Sequence, residues 1–191
     1  MVMTAMTRNP LLKVSESEVG VSHVPAFEVY SEEVVAFVVR QGMYEEWIRF
    51  FRKVLSDDES VTSSHVKTAI LDPLEIYRPA TDGRLYDTLT ARGLTRYQVS
   101  EIISAAGLQP DRVYSSLQLT DRVVIELHVF LQLSVDLAIV PTAGLDPLGI
   151  QRVMNEVLKI KLQCSSVIMF HADFMRLHEP LELFNKVIEV S

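Results

Sequence analysis

A run of six apolar residues, Val34-Val35-Ala36-Phe37-Val38-Val39, constrains the fold of this chain more than any other feature. A strand that is apolar on both faces must be covered on both faces, as it is in the middle of a parallel sheet. An amphipathic segment follows the run directly. Its apolar positions recur at helical spacing and are Trp47, Ile48, Phe51, Val54 and Leu55. A buried strand that leads into an amphipathic helix is typical of an α/β fold.

The other elements continue this alternation, and we predict one mixed α/β domain over residues 1–191. A β-rich part comes before the apolar run, with short strands at about 11–14 and 26–30. A small helical region follows at about 83–133, and Thr95 is a candidate cap for its second part. The last expected elements are a strand at 137–140, a helix at 147–162, a strand at 166–170, and a short helix and strand. This order indicates a P-loop type fold.

Charge and cysteine content exclude several kinds of function. The formal net charge is -7 and the cations form no stripe, which disfavours binding to nucleic acid phosphates. The single cysteine, Cys164, cannot form an internal disulfide, which fits a reducing cytoplasm. No apolar stretch approaches the ~20 residues of a membrane-spanning helix. The histidines and the acidic run 57–59 lack the spacing of metal ligands, so no metal is expected.

One segment carries a specific signature. Pro141-Thr142-Ala143-Gly144-Leu145-Asp146-Pro147 lies between a predicted buried strand and a predicted helix. It resembles the segment after the Walker B strand in the ATP-binding domains of ABC transporters, whose later part is called the D-loop. Residues 167–173 resemble the strand that leads to the family's switch histidine, here His171. Residues 94–108 are similar to the helical subdomain of drug- and peptide-export ATPases.

The resemblance covers nearly the whole chain and is closest from Tyr114 onward. It implies an ABC-type P-loop ATPase-like fold, with an N-terminal β-rich part, a mixed or parallel core sheet and a reduced helical subdomain at about 83–133.

The segment that corresponds to the family's phosphate loop has lost most of its chemistry. It reads Val39-Arg40-Gln41-Gly42-Met43-Tyr44-Glu45-Glu46. A phosphate loop needs glycines, a Lys that reaches the phosphates and a Ser or Thr that holds Mg²⁺. Only Gly42 remains of the glycines, and Glu45 and Glu46 replace the Lys and the Ser/Thr. Two carboxylates repel a triphosphate, and we expect Tyr44 and Met43 to crowd its space.

The remaining motifs also lack the residues that the family uses to bind and hydrolyse ATP. Ile139 and Val140 stand where the family has the Walker B Asp and Glu, unless an alternative alignment deletes both positions. The signature motif corresponds to residues 117–121, which lack its two glycines and add the negative charge of Asp121. The glutamine loop position reads Asp72-Pro73, and no adenine-stacking aromatic lies within residues 15–22.

The resemblance and these losses together imply a pseudo-ATPase, with no catalytic residues and no cofactor. It would pair with a catalytic ATPase subunit or dock on a membrane permease, as a hetero-oligomer on the cytoplasmic face of the cell membrane. Five residues are candidates for the interface with a partner: Gly144, Asp146, His171, Gln118 and Thr120.

Other readings of the same residues stay open. Asp146 can simply start a helix and His171 can end a strand. The chain as a whole can be a stand-alone interaction or regulatory protein that reuses an ABC-type fold, or an enzyme that uses other residues.

Overall fold

A computed structural model describes residues 9–39, 44–57, 59–61, 65–71, 76, 82–161, 166–172 and 184–191. The strands are β1 (Leu12–Val14), β2 (Ser17–Val19), β3 (Ser22–Val24), β4 (Phe27–Val29), β5 (Val34–Val39), β6 (Thr68–Ile70), β7 (Leu137–Pro141), β8 (Ser166–Ala172) and β9 (Lys186–Val190). The helices are α1 (Tyr44–Ser56), α2 (Leu85–Ala91), α3 (Arg96–Ala105), α4 (Leu119–Gln132) and α5 (Pro147–Lys161), with a 3₁₀ turn at Tyr114–Ser116. None of the described helices has the length and apolarity that crossing a membrane requires.

Five strands form a parallel sheet in the order β6-β7-β8-β5-β9. The predicted buried strand is β5, which lies between β8 and β9 with Phe37 opposite both Phe170 and Ile188. Every residue of β5 is buried except Val38, which is half-buried. The α/β fold with a parallel core sheet and an N-terminal β-rich part is therefore confirmed.

Each face of the sheet has its own apolar core, because successive side chains of a strand point to opposite faces. One core packs against α2 to α5 and includes, from the sheet, Val34, Ala36, Ala138, Val140, Val167 and Met169. The other packs against α1 and the N-terminal strands and includes, from the sheet, Val35, Phe37, Leu137, Ile139, Ile168 and Phe170. The apolar run is therefore apolar at every position because both of its faces are covered.

A cluster of aromatic rings forms the centre of the core on the α1 face. The Phe37 ring lies 5.7 Å from that of Trp47, 5.0 Å from that of Phe51 and 6.3 Å from that of Phe170. Trp47 and Phe51 come from the amphipathic segment, which is α1 and which buries the face expected from its spacing. These ring contacts hold α1 against one face of β5.

The N-terminal strands form two antiparallel pairs, β1 with β4 and β2 with β3. The β2–β3 hairpin was not predicted, because its strands have three residues each and a mostly polar sequence. Gly20 has a φ of 62°, which permits the two-residue turn that joins them. The hairpin is anchored to the end of β9, since the backbone N–H of His23 donates to the carbonyl of Ser191 at 2.8 Å.

A buried polar network stabilises the helical part. The Glu126 carboxylate, only 8% exposed, accepts hydrogen bonds from both Nη atoms of Arg92 at 2.5 and 2.8 Å. It also accepts one from the Tyr114 hydroxyl at 3.0 Å. Burial and this carboxylate raise the pKa of Tyr114. Since the charge of Glu126 is paired and hydrogen-bonded, the cost of burying it is largely offset.

The predicted cap at Thr95 is confirmed. Its hydroxyl accepts from the backbone N–H of Gln98, and the Gln98 side chain accepts from the backbone N–H of Thr95, which together form a capping box. Arg122 fixes α4 in a different way, because its guanidinium donates to the carbonyls of Ile76 and Ser115, each at 2.6 Å.

Candidate functional site

The strands that lead toward the predicted motifs end at one edge of the sheet. Strands β5, β8 and β7 are adjacent and parallel, with Val39 opposite Ala172 and Pro141 opposite Phe170. The carboxyl ends of these three strands therefore lie side by side, at the edge where open α/β sheets bind ligands. Gly42 and the rest of residues 40–43 lie outside the described residues. His171 is paired with Val38 in β8, and only its backbone is described.

The first turn of α1 carries two carboxylates, Glu45 and Glu46. A helix N-terminus has unpaired backbone N–H groups and a partial positive charge, which makes it a natural anion site. Each acidic side chain in this turn stabilises the helix by about 0.3–1 kcal/mol. The first turn of α1 therefore carries two acidic side chains of the protein itself.

Two neighbours define the environment of this turn. Gly20 of the β2–β3 hairpin approaches Glu46 so closely that a Cβ at position 20 would lie 3.4 Å from Glu46 Oε2. The Tyr44 ring packs 5.5 Å from the Phe170 ring and belongs to the core on the α1 face. The Tyr44 ring thus turns toward β8, and the expectation that Tyr44 crowds the space of a triphosphate stays a prediction, since residues 40–43 are not among the described residues. Met43 lies outside the described residues.

Strand β7 offers no acidic group at the positions where the family's Walker B carboxylates would stand. Ile139 and Val140 are both fully buried and belong to opposite cores. The next two residues, Pro141 and Thr142, are buried as well. Within β7 and the turn after it, which are described without a gap, Asp146 carries the first carboxylate.

The turn after β7 is held by backbone and side-chain hydrogen bonds. Thr142 is 3% exposed, and both its N–H and its hydroxyl donate to the carbonyl of Phe170, at 2.9 and 3.1 Å. Gly144 has a φ of 80°, which a residue with a side chain rarely adopts. Asp146 Oδ1 accepts from the N–H of Gly149 at 2.6 Å and so caps α5. Asp146 therefore does start a helix. Both Gly144 and Asp146 are nevertheless exposed.

The start of α4 lies directly against the start of α5. Gln118 is exposed, and half-buried Thr120 sits so close to the Gly149 backbone that a Cβ at position 149 would overlap Thr120 Oγ1. Four of the predicted interface residues therefore lie on adjoining segments: Gln118, Thr120, Gly144 and Asp146. Leu148, which is 76% exposed, adds an apolar side chain to the same surface.

Asp121 does not present a free negative charge, which corrects the expectation from the sequence. Arg152 of α5 pairs with it, with Nη1 2.5 Å from Asp121 Oδ1, and also donates from Nη2 to the carbonyl of Ala106 at 3.0 Å. Sequence reasoning missed Arg152 and Gly149. Thr120 lies 29 positions from Gly149, and Asp121 and Ala106 lie 31 and 46 positions from Arg152, so no local spacing rule connects them.

Among the described residues, no group of three or more His, Cys, Asp and Glu side chains is arranged to hold a metal ion. Cys164, Asp72 and Pro73 lie outside the described residues.

Three solved structures that are similar to this fold come from ABC transporters. The structure of cbiO1 from Clostridium perfringens, part of the ABC transporter complex cbiONQ, matches with a TM-score of 0.66 and 15% identity over 95% of this chain and 87% of that one. A putative ABC transporter ATP-binding protein from Pyrococcus furiosus matches with a TM-score of 0.65 and 14% identity over 95% of both chains. A structure of a putative metal-chelate type ABC transporter in an inward-facing conformation matches with a TM-score of 0.70 and 12% identity, over 96% of this chain and 80% of that one.

These likenesses show that the chain has the fold of an ABC-transporter ATP-binding domain. The resemblance read from the D-loop segment is thereby confirmed at the level of the fold. No protein-family model and no curated protein matches the sequence.

Proposed function

We propose that this protein is a non-catalytic subunit of an ABC transporter complex, a pseudo-ATPase that contributes shape rather than ATP hydrolysis. The observation that carries the proposal is the pair of carboxylates, Glu45 and Glu46, in the first turn of the helix after the central strand. At the start of this helix, where backbone N–H groups favour an anion, the chain supplies two anions of its own.

The residues of β7 support the same proposal independently. Hydrolysis of a phosphoanhydride needs Mg²⁺ and a group that orients the attacking water. Ile139 and Val140 have no atom able to perform either task, and both are 0% exposed. A carboxylate placed there would be buried in an apolar core, so the strand has no room for the lost chemistry without a shift of register.

The surface formed by Gln118, Thr120, Gly144, Asp146 and Leu148 is the proposed interface with a partner. It combines an exposed Leu with polar groups held by a rigid turn, as expected of an interface core with a polar rim. The partner would be a catalytic ATPase subunit, a membrane permease, or both, in a hetero-oligomer. The protein would then lie in the cytoplasm, peripheral to the inner face of the cell membrane.

Purification of the tagged protein from its native host in mild detergent tests this function. We expect a multi-span permease, an intact ATPase subunit, or both, to copurify at stoichiometric ratio, as identified by mass spectrometry. Recovery of soluble partners alone would favour the stand-alone interaction or regulatory protein.

A pair of matched variants tests the surface itself. Leu148→Glu should release the partner, because a charge would enter the centre of the interface. Leu133→Glu is the control, since Leu133 is also an exposed leucine, at 48%, but follows the opposite end of α4. Equal recovery of the partner with both variants would contradict the placement of the interface.

A further inference from the structure

A groove with a volume of about 700 Å³ runs along α1, between this helix and strands β1 and β2. Its volume is in the range of sites that hold small organic molecules. Four apolar residues line it: Val14, Val19, Phe50 and Val54. Phe50 is half-buried, so part of its ring faces the groove rather than the core. An apolar body of modest size would be shielded from water there.

Three cations line this groove. Arg49 and Lys53 are four residues apart on α1 and so lie on the same face of the helix, and Lys13 projects from β1 on the opposite wall. The side chains of Arg49 and Lys53 are exposed. Within the described part of the chain, neither of them makes an ion pair or a hydrogen bond. Lys13 has one distant ion pair, 3.8 Å from Glu28.

The carboxylates that line the groove are placed differently. Glu18 Oε1 lies 3.1 Å from Nδ1 of His23. Asp57 Oδ2 accepts from the Ser60 hydroxyl at 2.9 Å, and its Oδ1 accepts from the N–H of Glu59 at 3.2 Å. Glu46 lies at the end of the groove formed by the first turn of α1, and Glu59 lies beyond the last turn. Along α1, the two cations without a partner, Arg49 and Lys53, therefore lie between Glu46 in the first turn and Asp57 after the last turn.

We infer that this groove binds a small organic anion with an apolar body, independently of the degenerate phosphate loop. Arg49 and Lys53 hold the anionic group, and Phe50 and the three valines contact the apolar body. The inference goes beyond the proposed transporter role and would stand if that role were wrong, because it rests on the flank of α1 alone.

Fluorescence titration with 1-anilinonaphthalene-8-sulfonate tests the site, with the sulfonate as the anionic group. The uncharged analogue N-phenyl-1-naphthylamine reports the apolar contribution alone. We expect saturable binding of the sulfonate that weakens as salt is added, and weaker, salt-independent binding of the analogue. Backbone amide shifts in ¹⁵N spectra should locate the bound sulfonate beside α1.

Charge-matched variants on the same helix make the test specific. Arg49→Gln and Lys53→Gln should each raise the Kd for the sulfonate by about three-fold, the size expected for exposed ion pairs, and about ten-fold together. Arg52→Gln is the control, because Arg52 is an exposed residue of α1 that does not line the groove. Three results would each overturn the inference: no saturable binding, equal affinity for the uncharged analogue, or the same loss with Arg52→Gln.

Discussion

Arg152 and Asp121 form an ion pair, with Nη1 2.5 Å from Oδ1, that joins α5 to the first turn of α4. The side chain of Asp121 is only 13% exposed, so the ion pair replaces contacts with water that it has lost. The same guanidinium bonds the carbonyl of Ala106 after α3. One side chain thus holds three helices together beside the proposed interface.

Removal of Arg152 should therefore destabilise the fold more than removal of the pair. Arg152→Met leaves a poorly solvated carboxylate unpaired, at a cost of about 1–2 kcal/mol in the free energy of unfolding. Asp121→Asn together with Arg152→Met should recover part of that loss, because no charge is left unpaired. Urea unfolding of the two single variants and the double variant gives the coupling energy, and additive losses would show that the pair contributes nothing.

Gly149→Ala should destabilise the protein even though alanine favours helices. The added Cβ overlaps Thr120 Oγ1, and relief of such a clash costs about 1–3 kcal/mol. The same change in a Thr120→Ala background should cost clearly less, since the hydroxyl is gone. Thermal unfolding of the four proteins measures this, and an equal loss in both backgrounds would rule out the contact as its cause.

Substitutions of Asp146 can distinguish its role as a helix cap from a role of its exposed charge at the interface. Asp146→Ala removes the hydrogen bond to the Gly149 N–H and should cost about 1 kcal/mol, whereas Asp146→Asn keeps an accepting oxygen and should cost a few tenths. If Asp146→Asn keeps its stability but loses the copurifying partner, the charge acts at the interface. If both variants keep the partner, Asp146 only starts the helix.

His128 should make stability fall as the solution becomes acidic. Burial lowers its pKa, although Glu156 Oε2, 3.3 Å from Nε2, acts in the opposite direction. The unfolded chain, with a histidine pKa of about 6.5, then binds a proton before the folded chain does, so this contribution is full above that pH and is lost as the pH falls through the folded pKa. We expect the stability of wild type relative to His128→Gln to decline from neutral pH downward. A relative stability that is constant or rises in acid would contradict this account.

The fold was largely predictable because its centre is apolar on both faces. The apolar run of β5 and the amphipathic pattern of α1 can both be read from neighbouring residues. The D-loop segment then indicated which α/β architecture these elements form. The β2–β3 hairpin was not predicted, because its strands are short and polar. Its stability comes from packing on α1 and β9 rather than from its own sequence. A Gly in a two-residue turn, Gly20, was the one signal available.

The candidate site was predictable only in part. The sequence predicts that Glu45, Glu46, Ile139 and Val140 stand at motif positions, and this stays a prediction; the structure shows the two glutamates in the first turn of α1 and the other two residues buried in β7. It does not reveal that Asp121 is neutralised by Arg152, or that Arg92 stabilises a buried Glu126. Charged residues on a helix are normally solvated, and only contacts between distant segments show otherwise.

Calorimetric titration with Mg-ATP shows whether this fold has kept its nucleotide site. We expect no saturable binding at micromolar concentrations and no hydrolysis, either by the natural chain or by Glu45→Lys, which restores one cation but leaves Ile139 and Val140 in place. Saturable micromolar binding that is abolished by Gly42→Val, or measurable turnover by Glu45→Lys, would contradict the claim that the chain keeps the fold without the ATPase chemistry.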